Sequence, residues 1–286
     1  MSSLAVVILN YGDPGDTLSL AGRLGREAGV AAIVVVDNFS TTDNVDRLEQ
    51  GLQDLASDRI HFLPVDANVG YAAGNNVGLR HAFDVLGADY GLVLNPDVEV
   101  LGSFNPIIAR LRGPDRPFIF TGRVEQHGKT YAVLRYNPWT CKSARVSAGG
   151  GGPLYVSGCC FGFSRAIWTA FGGFWEGYFL QYEELDYIYR YRARFGVFPD
   201  VLVDDGISIM HREGATTGSA PLQASPSSDY WSARSKLVFY RRFLKRLLPV
   251  AIGYNMAKAT YSLAKARHNN VASIFRGTAD GLRAPR

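Results

Sequence analysis

Four short runs rich in Val, Ile and Leu, at residues 4–9, 32–36, 60–63 and 90–94, each give way within a few residues to Asn or Asp. Apolar runs of this length with polar stops are the pattern of parallel strands buried on both faces. Between the last two, Leu79, Ala82, Phe83 and Leu86 follow the i, i+3, i+4, i+7 spacing of a helix packed on a sheet. The succession is βαβ and predicts an α/β fold. In open sheets of this kind a ligand lies outside the carboxyl ends of the strands. The residues to examine are therefore Asn10 and Tyr11, Asp37 and Asn38, residues 66–70, and Asn95, Pro96 and Asp97.

At 286 residues, 47 % apolar and 20 % charged, the chain can bury a sizeable core, which excludes a disordered chain or a small disulfide scaffold. The net charge of +4 is unevenly spread: residues 230–286 hold twelve Lys/Arg against a single acid, Asp280. Cys159 and Cys160 are adjacent, Cys141 is remote, and no C-x-x-C occurs, so a reducing, cytoplasmic setting without zinc is expected. The N-terminus reads as a first strand and not as a signal peptide, and no apolar run reaches the 18 residues of a spanning helix. The glycines at 70, 74 and 78 do not form G-x-G-x-x-G, and P-loop, G-x-S-x-G and H-E-x-x-H motifs are absent, which removes the main warrant for dinucleotide, NTPase, serine-hydrolase and zincin chemistry.

The second half is less regular. Residues 113–157 carry no assignable function, and the glycines at 149–152 suggest a mobile loop. A helix is predicted over about 183–195, a short strand over 207–210 ending at His211, a flexible loop over 212–229, and two closing helical stretches. This divides the chain into residues 1–229, with halves 1–112 and 113–229, and a basic helical extension, 230–286. In that extension Leu237, Tyr240, Leu244, Leu247 and Leu248 form one helical stripe, with Arg241, Arg242, Lys245 and Arg246 opposite. Such a helix fits an anionic membrane surface or a helix covering the sheet, and both readings stay open. The acids Glu183, Glu184 and Asp186 open the predicted 183–195 helix. At 100° per residue Glu183 and Asp186 share a side that Glu184 does not, so the residues alone leave the choice between them open.

The segments V-V-I-L-N-Y (6–11), V-D-N-F-S-T (36–41), N-V-G-Y-A-A-G-N-N-V-G (68–78) and L-N-P-D-V (94–98) occur in this order, followed by G-G-F-W-E-G-Y-F (172–179), Y-E-E-L-D (182–186) and H-R-E-G-A-T-T-G (211–218). Over residues 4–245 the set resembles the inverting family 2 glycosyltransferases of the GT-A fold, in their rhamnosyltransferase-like branch. The resemblance implies a Rossmann-like nucleotide-binding half, a mixed, mostly parallel sheet flanked by helices, and a C-terminal helical tail. It also implies transfer of a sugar, L-rhamnose from dTDP-rhamnose, in surface-polysaccharide assembly, from a dTDP- or UDP-sugar to a saccharide or lipid-linked saccharide.

On that resemblance Asn10, Tyr11, Asp37, Asn68, Gly70, Asn76, Asn95 and Asp97 bind the donor nucleotide, with Asp37 accepting from the imide N–H of uracil or thymine and Tyr11 beside the base. Asn95-Pro96-Asp97 stands where the family has D-x-D. Asp97 and His211 then hold Mg²⁺ or Mn²⁺, while Asn95, a neutral amide, contacts ribose or orients Asp97. Glu184 is selected as general base, with Asp186 and Glu183 as alternatives, and it replaces the Asp usual there. Phe174, Trp175 and Glu183 fall on the acceptor side, although core packing explains the aromatics equally well. His61, His81, His127 and His268 lack such a context and read as structural. A nucleotidyltransferase would need a G-x-G-x-R-type signature after the first strand, which 10–15 lacks. A polyanion- or membrane-binding module would rest on the basic tail; peripheral membrane contact stays open there, and no nucleic-acid partner is expected.

Overall fold

The computed structural model describes residues 3–102, 104–105, 115–146, 153–212 and 224–285. The first half follows the expected alternation: β1 (Leu4–Asn10), α1 (Gly15–Leu24), β2 (Ala32–Asp37), α2 (Thr42–Asp54), β3 (Ile60–Pro64), α3 (Gly70–Arg80) and β4 (Tyr90–Leu94). The α3 helix continues as one π-type turn, His81–Val85, so the predicted Leu79–Leu86 stripe is the C-terminal end of a longer helix. Then come β5 (Val98–Val100), β6 (Phe118–Gln126), β7 (Lys129–Tyr131), β8 (Val133–Asn137), β9 (Lys142–Val146), β10 (Leu154–Tyr155), β11 (Cys160–Ser164), α4 (Arg165–Phe171), α5 (Glu183–Phe195) and β12 (Asp200–His211). Three helices close the chain: α6 (Pro226–Phe243), α7 (Leu248–Ala264) and α8 (His268–Arg283).

The main sheet has the order β3-β2-β1-β4-β11-β6-β12-β5, with β7 paired to β6. It is parallel across β3, β2, β1 and β4, and β11 enters antiparallel beside β4. Strand alternation sorts its side chains into two cores. Leu4, Val6 and Ile8 pack with α1 and α2 through Leu20, Leu24, Leu48 and Leu52. Ala5 and Val7 pack on the other face with α3, α5 and α6 through Leu79, Tyr187, Ile188 and Phe239. The β1–β2 register sets Asn10 directly beside Asp37, so the polar stops of these strands lie at one edge.

Several expectations are corrected. The unread 113–157 region supplies β6 and β7 and a separate antiparallel sheet, β10-β8-β9; the 149–152 glycines lie outside the described residues. The short 207–210 strand is the end of a twelve-residue strand, because a register shift between Val203 and Ser208 accommodates the polar Asp204-Asp205-Gly206 step. Of the predicted 212–229 loop, 213–223 lie outside the described residues and 226–229 are already helix: Ser225 Oγ accepts from Ser228 N at 3.1 Å, with Pro226 in the first turn. A boundary at 229/230 thus falls inside α6, whose Leu237, Val238, Phe239 and Tyr240 are buried in the main core.

The predicted basic amphipathic helix over 234–248 is two helices, since α6 stops at Leu244 (φ −129°, ψ 45°) and a 3-10 turn, Lys245–Leu247, precedes α7. Its cations are not one solvated row. Arg241 donates to the Gly281 and Ala284 carbonyls, and Arg242 turns inward onto Asp186. Among the described residues no helix is long and apolar enough to cross a membrane, and the three cysteines are free and buried.

Candidate active site

The crevice begins where β1 and β2 end. Asp37 is 1 % exposed, and its Oδ1 accepts from Asn10 Nδ2 (2.8 Å) and Ser40 Oγ (2.5 Å) while Oδ2 accepts from Ser40 N (2.9 Å). Thr17 Oγ1 donates to Asn10 Oδ1 at 2.7 Å. Asn10 and Asp37 are thus a buried scaffold that fixes the 37–40 turn. Phe39, 56 % exposed in the left-handed region (φ 66°), is presented outward by this turn, and Tyr11, 53 % exposed, directly follows β1. The sequence reading missed Phe39. Its signal was an aromatic inside the D-N-x-S turn, a place where ordinary loop chemistry has no use for one.

The next turn is tied to this one. Asn38 Nδ2 donates to Asn68 Oδ1 (3.0 Å), which also accepts the Gly70 N–H (3.1 Å), and Asn38 Oδ1 accepts from Val69 N (3.0 Å). Gly70 has φ +82°, and a Cβ there would run into the backbone of Phe179, whose carbonyl accepts from Tyr71 N at 2.7 Å. This close approach is what Gly70 supplies. Asn76 is placed elsewhere: it is buried, donates to the Phe174 carbonyl (2.8 Å) and Glu176 Oε1 (3.0 Å) and accepts from Phe174 N (2.9 Å). It pegs the 174–176 segment to α3 instead of facing the crevice.

After β4, Asn95-Pro96-Asp97 turns into β5, and β5 pairs with the end of β12 so that Val98 faces His211. His211 Nε2 lies 3.4 Å from Asp97 Oδ2, and Gln126 Nε2 meets His211 Nδ1 at 3.2 Å, which aims Nε2 at the carboxylate. Carboxylate oxygen and imidazole nitrogen form a donor set suited to Mn²⁺ or Mg²⁺ with further ligands drawn from a substrate. Among the described residues no group of three or more His, Cys, Asp or Glu could hold a metal by itself. Asn95 is held by its N–H to the Cys159 carbonyl (3.3 Å).

Segment 157–159 carries the crevice across to α5. Gly158 N donates to Glu184 Oε1 at 2.9 Å, and the Gly158 carbonyl accepts the Tyr71 hydroxyl at 2.7 Å. Both Tyr71 and Cys159 lie within electrostatic reach of Asp97 and of Glu184, so the two carboxylates lie near the same short stretch of chain. Burial pushes the Glu184 carboxyl above its ordinary range, and backbone hydrogen bonds, including that from Gly158, oppose the rise. Neither Tyr71 nor Gly158 was singled out for a role at this junction, because a backbone amide leaves no trace in residue type.

The acid cluster divides differently from the expected pairing: Asp186 turns into the core, and Glu183 and Glu184 line one cavity. Asp186 is fully buried, with Arg190 Nε at 3.3 Å and Arg242 Nη1 at 3.1 Å. Desolvation raises it to about 6 against the pull of those arginines. It belongs to a core ion-pair network, not the crevice, which corrects its catalytic assignment. Phe174 is 4 % exposed and packs edge-on to Phe161, Phe163 and Tyr187, and Trp175 lies under the Arg242 guanidinium at 3.5 Å and against Tyr178. Phe174 is thus core packing, while the partly buried Trp175 is held by Arg242 and Tyr178. Glu183, 3 % exposed, lines a cavity that Glu184 lines as well, and its Oε2 has no hydrogen-bond partner.

A parallel half whose strands stop at Asn and Asp, a carboxylate–imidazole pair beyond β4 and a separate carboxylate at the entry to α5 make up the candidate site. Residues 20–171 match Glycosyl transferase family 2, and the chain belongs to that family. Its fold is GT-A. The "Low-salt glycan biosynthesis hexosyltransferase Agl10" of Haloferax volcanii is 27 % identical over 206 residues, 67 % of this chain and 62 % of that protein, so the match spans less than two thirds of the relative. GalNAc-T7, crystallised with UDP, GalNAc and Mn²⁺, superposes with a TM-score of 0.58 at 15 % identity over 93 % of this chain and 58 % of that one. The mannosyltransferase PcManGT from Pyrobaculum calidifontis, in complex with GDP-Man and Mn²⁺, gives 0.55 at 11 % identity over 99 % and 76 %. At these identities the superpositions establish the fold.

Proposed function

We propose that the chain transfers a hexosyl group from a nucleoside-diphosphate sugar to a hydroxyl of a glycan or lipid-linked glycan, with inversion and with help from a divalent cation. The observation that carries this reading is the pairing of Asp97 with His211 together with Glu184 held by the Gly158 N–H, the adjoining Cys159 being within electrostatic reach of both carboxylates. The motif resemblance supports L-rhamnose from dTDP-rhamnose as the donor, and the glycan-biosynthesis hexosyltransferase of Haloferax volcanii supports the reaction class.

In this reading Tyr11 and Phe39 flank the nucleotide base over the floor that Asn10 and Asp37 hold rigid, and Asn68 and Gly70 shape the adjoining turn. Asp97 and His211 would hold the cation, with Asn95 orienting Asp97; when bound, a divalent cation neutralises charge on the leaving diphosphate. Glu184 takes the proton of the acceptor hydroxyl. The freed oxygen pair forms the new bond to the anomeric carbon from the face opposite the diphosphate, and the anomeric C–O bond to phosphate breaks with its electron pair on the leaving group. Gly158 N–H fixes one oxygen of Glu184 and the helix N-terminus favours its ionised form, while burial pushes its carboxyl above the ordinary range and makes it a stronger base. Calorimetric titration with UDP and dTDP, with and without Mn²⁺, tests the donor side: metal-dependent binding that Asp97→Asn weakens is expected, and no binding of either nucleotide refutes the reading.

A further inference from the structure

Gln126 closes β6 and His211 closes β12, and these parallel strands set Met210 opposite Glu125, so the two side chains meet where the strands end. Gln126 Nε2 lies 3.2 Å from His211 Nδ1. An amide oxygen and an amide nitrogen make opposite demands on that ring nitrogen. The oxygen would require a proton on Nδ1. The nitrogen only donates, so it requires a lone pair on Nδ1, and a neutral imidazole then carries its proton on Nε2.

Arg145 decides between the two. It stands on β9 opposite Leu134 of β8, so the small antiparallel sheet delivers it to the end of β6. Its guanidinium holds Gln126 twice: Nη2 donates to the side-chain Oε1 at 2.5 Å, and Nη1 donates to the main-chain carbonyl at 3.2 Å. A guanidinium has donors and no acceptor, so the amide atom facing it is the oxygen. The Tyr131 hydroxyl donates to the same oxygen at 3.4 Å, and the Arg145 guanidinium lies over the Tyr131 ring, 4.6 Å from its centroid, which steadies the fork. The amide nitrogen is thereby turned toward His211.

We propose that Gln126, oriented by Arg145, is a positioning residue that fixes His211 as its Nε2–H tautomer until a divalent cation binds. The proposal rests on the reading that Asp97 and His211 hold that cation. In the cation-free protein Nε2–H points at Asp97 Oδ2, 3.4 Å away, and the pair closes on itself as donor and acceptor. Ligation through Nε2 needs a lone pair there. The ring proton must then sit on Nδ1, and Gln126 accepts it only with its amide turned over, which withdraws Oε1 from Arg145. Gln126 thus opposes cation binding by the protein alone and makes it depend on the further oxygen ligands that a diphosphate brings.

The test uses the full-length protein. With cations removed by EDTA, long-range ¹H–¹⁵N NMR at pH 8 should show His211, identified by its loss in His211→Asn, as the Nε2–H tautomer. Gln126→Glu keeps one oxygen for Arg145 and offers the other to Nδ1–H, so it should switch the tautomer. It should also tighten Mn²⁺, read by electron paramagnetic resonance with UDP present, at least about tenfold, the lower end of effects at such supporting positions. Arg145→Met releases the amide and should give both tautomers. An Nδ1–H tautomer in the cation-free wild type overturns the proposal, and this measurement decides even where a variant fails to fold. So does an Arg145→Met protein that keeps the wild-type tautomer, or a Gln126→Glu protein whose tautomer switches with Mn²⁺ affinity unchanged. Tighter Mn²⁺ in Gln126→Glu without the switch is the effect of added charge alone and also overturns it. A wild type that binds neither nucleotide nor Mn²⁺ overturns instead the functional reading beneath, so the two failures are told apart.

Discussion

Gly158 N–H and Glu184 Oε1 are 2.9 Å apart, and a Cβ on Gly158 would occupy the place of that same carboxylate oxygen and crowd the Tyr71 hydroxyl at 3.0 Å. The backbone of segment 157–159 thus positions Glu184, the proposed base, by direct contact, and the Asn95 N–H bonds the neighbouring Cys159 carbonyl. One strand entry links the two sides of the crevice.

Gly158→Ala therefore displaces Glu184 without touching Asp97 or His211. Turnover is expected to fall by about a hundredfold, the order seen when a catalytic group is misplaced by about 1 Å. Affinity for UDP with Mn²⁺, measured by calorimetry, stays within about threefold of wild type, and fluorescence reports an unchanged fold. Equal loss of turnover and of nucleotide affinity would mean that segment 157–159 serves the donor.

The pH dependence follows from the buried base. Glu184 must be ionised to accept a proton, and burial raises it above the ordinary Glu value of about 4.3, so activity rises with pH through that raised value. Single-turnover transfer measured against pH is expected to show its acidic limb above the ordinary carboxylate range. A limb at about 4 would assign the base to a solvent-exposed carboxylate.

Asp186 and Arg242 form a buried ion pair at 3.1 Å with Arg190 alongside. Desolvation pushes Asp186 up to about 6 in the folded protein, above the ordinary Asp value of 3.8, so it is mostly neutral in the folded state at low pH and charged above neutrality. Arg242→Met should cost about 3 kcal/mol near pH 8, where the carboxylate is ionised and has lost a partner, and much less near pH 5. Urea denaturation of both proteins at the two pH values measures this, and a cost independent of pH would assign the loss to packing against Trp175.

The strands that frame the donor crevice were legible because each is a short buried run closed by Asn or Asp, and their stops do meet at one edge. Helical periodicity set Glu183 with Asp186 and apart from Glu184, whereas Glu183 and Glu184 line one cavity and Asp186 pairs with Arg190 and Arg242. It did not say which side is core, since that depends on Arg242, 56 residues further along the chain. Phe174, Trp175 and Tyr178 read as platform or core with equal warrant because composition does not distinguish the two. Burial and the Asn76 peg decide it for Phe174. The β8–β10 sheet escaped because its strands are short, polar and exposed on β9. The tail was misread as one amphipathic helix because 234–248 has the right period and nothing local in its side chains announces the break at Leu244.

The division of labour between Asp97 with His211 and Glu184 is tested most directly by Glu184→Gln, assayed for UDP or dTDP binding with Mn²⁺ and for sugar transfer in the same preparation. Nucleotide affinity should be retained within about threefold while transfer falls by at least about a thousandfold, the scale on which loss of a general base acts. Transfer that survives in this variant would contradict the account, because no other carboxylate at the α5 entry combines partial exposure with contact to the crevice.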